Sequence, residues 1–386
     1  MCELEKVCSF IGEGEITKET VNKILFAAGL DDNAANLELI TKDTTLYLNV
    51  TNREYYVSVK FPITEPTEFH AVVDAALFLN LISGISTETF TLTAHDNYIT
   101  VTSGKSNYKL AMIFENETLM KLPIIAIQNK TVEMTIANDI LTSILNVNSK
   151  ELTKLKGASV VNELQKLYFI DETGCFTFTT GACLNAFTLE KPVKLLLNDR
   201  IVKLFKLFKT DVKFALGIDL ASTGQPMTKI SLETEDTYLA ALINCSDLLI
   251  SKIQGPCKAT KDFINSVYDY RLVLSSNEFS SAISRLQMFT KNNKSVTEKN
   301  NSYMPVSVTI ADDAFIINDR FGNSEYVTIE NGSYVSGEYN FNVNLIDLKL
   351  VLDSCKNEHI TFNCGNGRSI IIARGAISNL IPEVRM

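Results

Sequence analysis

Apolar and polar positions along the chain follow two alternating rhythms. Stretches with apolar residues three and four apart, the spacing of a helix face, lead into short runs in which every second residue is apolar, the spacing of a strand. This predicts helices at DAALFLNLISGI (74–85), NDRIVKLFKLF (198–208) and NLIDLKLVLDSC (344–355). A hairpin follows each: TFTLTA and YITVTS around Asp96 and Asn97; VKFALGI and KISLET joined by a longer polar loop, then YLAALI; HITFNC and RSIIIA around Gly365, Asn366 and Gly367. Asp-Asn and Asn-Gly are residues that tight hairpin turns favour.

A second set of helices precedes these, at TKETVNKILFAAG (17–29), NDILTSILNV (138–147) and SSNEFSSAISRLQM (275–288). Thr17 and Thr20 offer N-cap chemistry, and Ser275 with Glu278 has the spacing of a capping box. Three strands follow each: LELITK, TLYLNVT and YYVSVKF; KLYFID, CFTFTT and FTL; VSVTIA, AFIIND and YVTIE. KPVKLLL and EYNFN read as strands leading into second helices. One helix plus about three strands therefore occurs six times, and equivalent helices recur at intervals of roughly 120–145 residues, long enough for three domains that are each internally duplicated. The expected fold class is α+β, in three tandem domains at 1–126, 127–270 and 271–386. Residues 115–130 read as an extended linker and 247–273 as a second, longer connection. A doubly wound parallel sheet does not fit so many consecutive antiparallel strands.

Composition sharpens this. With 386 residues, 46% hydrophobic and 21% charged, the chain can bury large cores. No apolar run approaches the ~18 residues of a membrane span, and MCELEKVCSF lacks the flank and apolar stretch of a signal peptide, which points to the cytoplasm and away from membranes. The eight cysteines form no CxxC and no ligand-spaced pair, so buried free thiols are the expectation. His70, His95 and His359 lie in no metal pattern, and no GxSxG, P-loop or strand-bound GxGxxG occurs. Asp31 with Asp32 and Asp312 with Asp313 fall in loops and turns, where carboxylates keep ordinary acidity. Neither cofactor nor metal nor catalysis is implied.

Lys and Arg number 36 against 45 Asp and Glu, a net charge of −9. Nucleic acid is repelled by such a molecule unless the basic residues are gathered on one surface. The 198–208 helix does gather them. At about 100° per residue, Ile201, Leu204, Phe205 and Phe208 share one face, leaving Arg200, Lys203, Lys206 and Lys209 on the other with no acid between them. That face reads as a solvated helix surface, a membrane-surface helix or a phosphate-facing one. Further basic residues lie in or after other helices: Lys18 and Lys23; Lys150, Lys154 and Lys156; Arg285, Lys291 and Lys294; Lys349 and Lys356. If six units close around an axis with helices inside, these residues line a hole and hold duplex DNA by sequence-blind phosphate contacts.

Several segments resemble a known family. ITVTSGKSNYKLAMI (99–113) is similar to a Ser-Gly turn followed by a basic edge strand, and FTTGACLNAFTL (178–189) to a Thr-Asp-Gly-His-Arg-Leu segment. VYDYRLVL (267–274) resembles Phe-Pro-Asp-Tyr-Arg-Arg-Val-Leu, with Tyr268 and Leu272 replacing proline and arginine. EYNFNVNLIDLKLVLDSC and LIPEVRM are similar to a Phe-Asn-Val helix entry and a Met-Pro-Met-Arg-Leu terminus. Together, in this order, they resemble the bacterial-type DNA polymerase sliding clamp, the beta-subunit family, in a divergent form.

The resemblance implies a non-enzymatic, head-to-tail homodimeric ring around duplex DNA. Such a ring tethers a replicative DNA polymerase and is opened by a clamp loader ATPase. It also implies a pocket for short hydrophobic peptides at Leu164, Thr179, Gly181, Leu184, Tyr268, Leu272, Val273, Asn342, Leu345, Ser369, Ile381, Pro382, Val384, Arg385 and Met386. An interface of Lys105, Asn107, Tyr108 and Leu110 against Met288 and Phe289 of a second copy is implied as well. Core packing is the competing role for each apolar residue here. The competing function is a structural or assembly protein built on the same repeats.

Overall fold

The computed structural model describes residues 6–11, 14–31, 36–63, 68–86, 89–147, 167–178, 181–221, 223–293, 303–311, 314–355, 357–365 and 369–384. The first third of the chain runs β1 (Lys6–Ile11), α1 (Gly14–Ala28), β2 (Asn36–Lys42), β3 (Thr45–Thr51), β4 (Tyr55–Pro62), β5 (His70–Asp74) and α2 (Ala75–Gly84). It continues with β6 (Thr89–Ala94), β7 (Tyr98–Ser103), β8 (Ser106–Ala111) and a small ribbon of β9 (Phe114–Glu115) and β10 (Thr118–Leu119).

Next come β11 (Lys130–Ile136), α3 (Asn138–Leu145), β12 (Leu167–Asp171), β13 (Gly174–Phe178), β14 (Ala182–Ala186), β15 (Lys194–Asn198) and α4 (Asp199–Leu204). A 3-10 turn (Phe205–Leu207) then leads to β16 (Val212–Leu220), β17 (Pro226–Glu233), β18 (Thr237–Ile243) and α5 (Asp247–Ile264). The last part holds β19 (Tyr270–Ser275), α6 (Ser276–Asn293), β20 (Pro305–Ala311), β21 (Ala314–Asn318), β22 (Ser324–Thr328), β23 (Tyr339–Asn344) and α7 (Leu345–Leu352). It ends with β24 (His359–Cys364), β25 (Ser369–Arg374) and β26 (Ile377–Pro382).

Beyond the small ribbon, the strands of the described residues form six antiparallel groups of four by one rule. β1 sits beside β6-β7-β8, β11 beside β16-β17-β18, and β19 beside β24-β25-β26: one strand before a first helix joins three after the second. Reciprocally, β5 sits beside β2-β3-β4, β15 beside β12-β13-β14, and β23 beside β20-β21-β22. Two pairs of groups fuse edge to edge. β18 pairs with β4, Leu239 opposite Val57, and β14 pairs with β26, Leu184 opposite Ser378, each giving an eight-stranded sheet. The groups ending in β8 and β22 remain four-stranded.

By packing the chain divides into two compact units, 1–141 with 203–244 and 142–202 with 245–386. Each holds one eight-stranded and one four-stranded sheet. In the second unit, alternation on the strands sends Leu272, Leu274, Phe362, Ile370, Ile372 and Ile381 into a core with Phe279, Leu286, Leu345 and Leu348 of α6 and α7. Rings of Phe279, Phe315 and Phe362 meet edge-on at 5.1–6.0 Å there, the arrangement their quadrupoles favour.

The local chemistry explains most boundaries and some departures. Asp74 caps α2 by accepting from Leu77 N at 2.7 Å. Ser275 accepts from Glu278 N at 3.5 Å, but the Glu278 carboxylate goes to Thr328 N and Oγ1 at 3.0 and 2.9 Å instead of closing a capping box. The first helix begins at Gly14, so Thr17 lies inside it. In the second third, the third strand is ACLNA (182–186), not FTL, because ACLNA pairs on both sides. The stretch expected as a connection at 247–273 contains an 18-residue helix, α5, with Pro256 inside. Ser246 caps it, and Ile253, Cys257 and Thr260 are buried at helical spacing, so the packed face outweighs the hydrogen bond that proline removes.

Candidate functional site

α4 starts where Asn198 Oδ1 accepts from Ile201 N at 2.9 Å. Ile201, Leu204, Phe205 and Phe208 are all buried, as their spacing requires, and Val202 and Leu207 join them. The opposite side presents Lys206 and Lys209 exposed and Arg200 and Lys203 half-buried. The Lys206 ammonium lies 5.9 Å from the Phe26 ring centre. The exit of this segment is held by Asn138, whose Nδ2 donates to Phe208 O at 3.2 Å and whose N–H donates to Asp211 Oδ1 at 2.9 Å.

Three basic candidates on other helices, Lys23, Arg285 and Lys349, are engaged by carboxylates or hydroxyls. Lys23 on α1 is largely buried and donates to Asp236 Oδ2 at 2.5 Å and Thr237 Oγ1 at 3.3 Å, tying the helix to the β17–β18 turn. Arg285 grips Glu325 of β22 with two bonds, at 2.9 and 2.7 Å. Lys349 donates to Ser284 Oγ at 2.7 Å and lies 3.9 Å from Asp353. Lys150, Lys154, Lys156, Leu164, Thr179, Arg385 and Met386 lie outside the described residues, as do the side chains of Lys18 and Lys291.

The two unfused groups present distinctive edges. On β8, Asn107, Tyr108 and Lys109 are exposed, as is Lys105 in the preceding turn, while Leu110 is 3% exposed and faces its own unit's core. On β22, Tyr326 is exposed, and α6, which packs against β22, exposes Met288 and Phe289. Sequence reasoning did not single out Tyr326. Its signal was an aromatic on the polar phase of a strand.

Against solved structures the chain matches along almost its whole length. It superposes on the DNA polymerase III beta subunit from Pseudomonas aeruginosa with a TM-score of 0.73 at 13% identity, covering 99% of this chain and 100% of that one. The DNA polymerase sliding clamp from Bacillus subtilis gives 0.72 at 13% identity, again 99% and 100%. A Pseudomonas aeruginosa clamp bound to griselimycin gives 0.73 at 11%, with the same coverage. The chain has the beta sliding-clamp fold. Neither a protein-family model nor a curated protein matches the sequence.

Within this clamp fold, the residues expected for the peptide pocket divide by strand phase. Leu272 and Leu345 are fully buried in the second unit's core, and Ile381 is 3% exposed there. Leu184, Val273 and Pro382 take the opposite phase, on the outer face of the eight-stranded sheet, with Ser369 opposite Pro382. Leu184 packs on that face with Phe169, Phe176 and Leu196 beneath Ile253 and Cys257 of α5. Gly181 has no room for a side chain, since a Cβ would strike Leu380 O. Val384 N donates to Asn342 O at 2.9 Å, and the Tyr268 hydroxyl donates to Phe263 O at 2.9 Å.

Cys175, Cys183, Cys257, Cys355 and Cys364 are buried free thiols, and Cys245 is a half-buried one. Desolvation pushes the Cys257 thiol up to about 12 and raises Cys175 and Cys364 as well, which leaves them unreactive. Among the described residues no group of three or more His, Cys, Asp or Glu could hold a metal ion, and no helix is long and apolar enough to cross a membrane.

Proposed function

We propose that the chain is a DNA polymerase processivity factor: a non-catalytic sliding clamp that closes head to tail with a second copy around duplex DNA. The observation that carries this reading is the leftover pair of four-strand groups. β18 and β26 are third strands after a second helix, and each pairs with a third strand after a first helix, β4 and β14 respectively; β8 and β22 are the same two kinds of strand left without that pairing. Unpaired edges invite association. Exposed Lys105, Lys109 and Tyr108 on one side, and exposed Tyr326, Met288 and Phe289 on the other, suit an antiparallel join between copies.

Under this reading the three domains are 1–126, 127–270 and 271–386, and a ring of two copies contains six sheets. Arg200, Lys203, Lys206 and Lys209 contact phosphates, supplemented by Lys150, Lys154 and Lys156. The partners are duplex DNA, a replicative polymerase and a clamp loader ATPase, in the cytoplasm. Lys23, Arg285 and Lys349 act in packing instead. The test is retention on DNA after loading: the protein stays on circular duplex, leaves when the circle is cut, and stays when the cut ends are blocked. Equal retention on open and blocked ends would refute enclosure.

A further inference from the structure

We infer that a buried polar patch at the β14–β26 join, made of Thr177, Asn185 and Asn379, reserves those two strands for each other while copies of the chain assemble. The inference goes beyond the clamp reading and rests on it at one point, that β8 and β22 join between copies.

Third strands after first helices are β4, β14 and β22, and third strands after second helices are β8, β18 and β26. Backbone hydrogen bonds alone would let any strand of the first kind pair with any of the second. Most such combinations are wrong. The choice must therefore come from the side chains that each join buries.

The two joins within the chain differ on their helix-bearing faces. At β18–β4 that face pairs Leu239 with Val57, Thr237 with Val59 and Ala241 with Tyr55. Its polar groups are served: the Tyr55 hydroxyl donates to Ala27 O at 2.7 Å, and Thr237 Oγ1 accepts from Lys23 at 3.3 Å. At β14–β26 the same face pairs Cys183 with Asn379 and Asn185 with Ile377, and Thr177 of β13 lies opposite Cys183. These residues share the phase of Ile381, a core residue, and take the opposite phase to Leu184 beneath α5. Thr177, Asn185 and Asn379 are each 1% exposed. Among the described residues, neither Thr177 Oγ1 nor Asn185 Nδ2 finds a hydrogen-bond partner.

Buried polar atoms without partners cost stability. The attested return for such a cost is a fixed register and a fixed partner. In the observed join Asn185 and Asn379 are diagonal neighbours, so polar surface lies beside polar surface. Joining β14 to β18 or β8 would set Asn185 and Cys183 against Leu239 or Leu110, and joining β26 to β4 or β22 would set Asn379 against Val57 or Val327. All four of these apolar residues are buried core. Each wrong join buries an amide against hydrocarbon, and specificity follows from that difference.

The experiment refolds the full chain from urea under reducing conditions, as wild type, as the double variant Asn185→Leu with Asn379→Leu, and as Thr177→Val. Urea midpoints and light-scattering masses after size separation are read. Wild-type protein refolds to species of one or two copies. The double variant unfolds at a higher urea concentration, because apolar side chains of similar size replace buried polar ones, and the share of its mass in assemblies above two copies rises about tenfold. Thr177→Val moves both readouts in the same direction by less. The inference is overturned if either variant lowers the midpoint or fails to fold, since the patch then serves the fold itself. It is also overturned if the double variant refolds to the same species as wild type; where those include the two-copy species, the clamp reading stands. Wild-type protein that never exceeds one copy, beside a double variant that forms large assemblies, refutes ring closure and leaves the patch as the selector.

Discussion

The two eight-stranded sheets follow one plan, yet their outer faces are covered by different means. In the first unit the cover is a strap, residues 120–129, without regular structure. Ile125 packs on Tyr56 and Ala240, and Leu122 is also buried. Backbone polar groups in such a segment need partners, and Asp219 supplies them: it accepts from Asn129 N at 2.9 Å and from Gln128 N at 3.2 Å while Lys229 holds it at 2.8 Å. Lys229 also donates to Ala126 O at 2.8 Å. In the second unit the cover is α5, which satisfies its own backbone and holds on by an apolar stripe. A strap needs polar anchors for its backbone; a helix needs only an apolar face to lie on. The helix also leaves a cavity of about 460 Å³ where it ends.

Substitutions separate the two modes of attachment. The largest effect is expected in the second unit from Ile253→Ala, which removes the buried centre of the α5 contact and costs about 2–5 kcal/mol in denaturant unfolding. Gly217→Val in the first unit comes next. Gly217 lies where the strap crosses β16, and a Cβ there would strike Ile127 and Asn129 O, so a loss of about 1–3 kcal/mol accompanies faster proteolysis within 115–130. Proteolysis of α5 should not change.

Acid should also distinguish the faces. The hydrogen bond from Lys229, working against desolvation and helped by Gln128 and Asn129 N–H, holds the Asp219 carboxyl down at about 2. A carboxylate whose folded pKa lies below its unfolded value of ~3.9 stabilises the fold above that unfolded value, and the contribution is lost as pH falls from about 4 to 2. Strap amides should therefore lose exchange protection across that window, ahead of α5, and Asp219→Asn should abolish the difference. Smaller still is Ser246→Ala, which removes the α5 cap and costs about 1 kcal/mol.

The repeat was legible in the sequence because each hairpin alternates cleanly and each second helix follows its strand directly. TFTLTA, YITVTS and HITFNC are strands over the expected residues. What the sequence hid were features set by long-range packing. Nothing local says that β18 joins β4 or β14 joins β26. α5 was hidden by its Gly255-Pro256 pair, which reads as a break until Ile253 and Cys257 have a sheet to pack on. At the candidate site, charge alone could not separate Lys206, which is exposed, from Lys23, which bridges to Asp236. Strand phase did separate Leu272, which is core, from Val273, once it was known which face carries the helices, but it could not separate Leu110, which is buried, from exposed Tyr108, which shares its phase on β8.

The central claim is that β8 of one copy pairs with β22 of another as β18 pairs with β4. Amide hydrogen exchange of the full chain across a dilution series tests it directly. Protection of β8 and β22 should be high at high concentration and be lost together on dilution, while β4, β14, β18 and β26 stay protected throughout. Exchange of β8 and β22 at the open-chain rate at every concentration would contradict it.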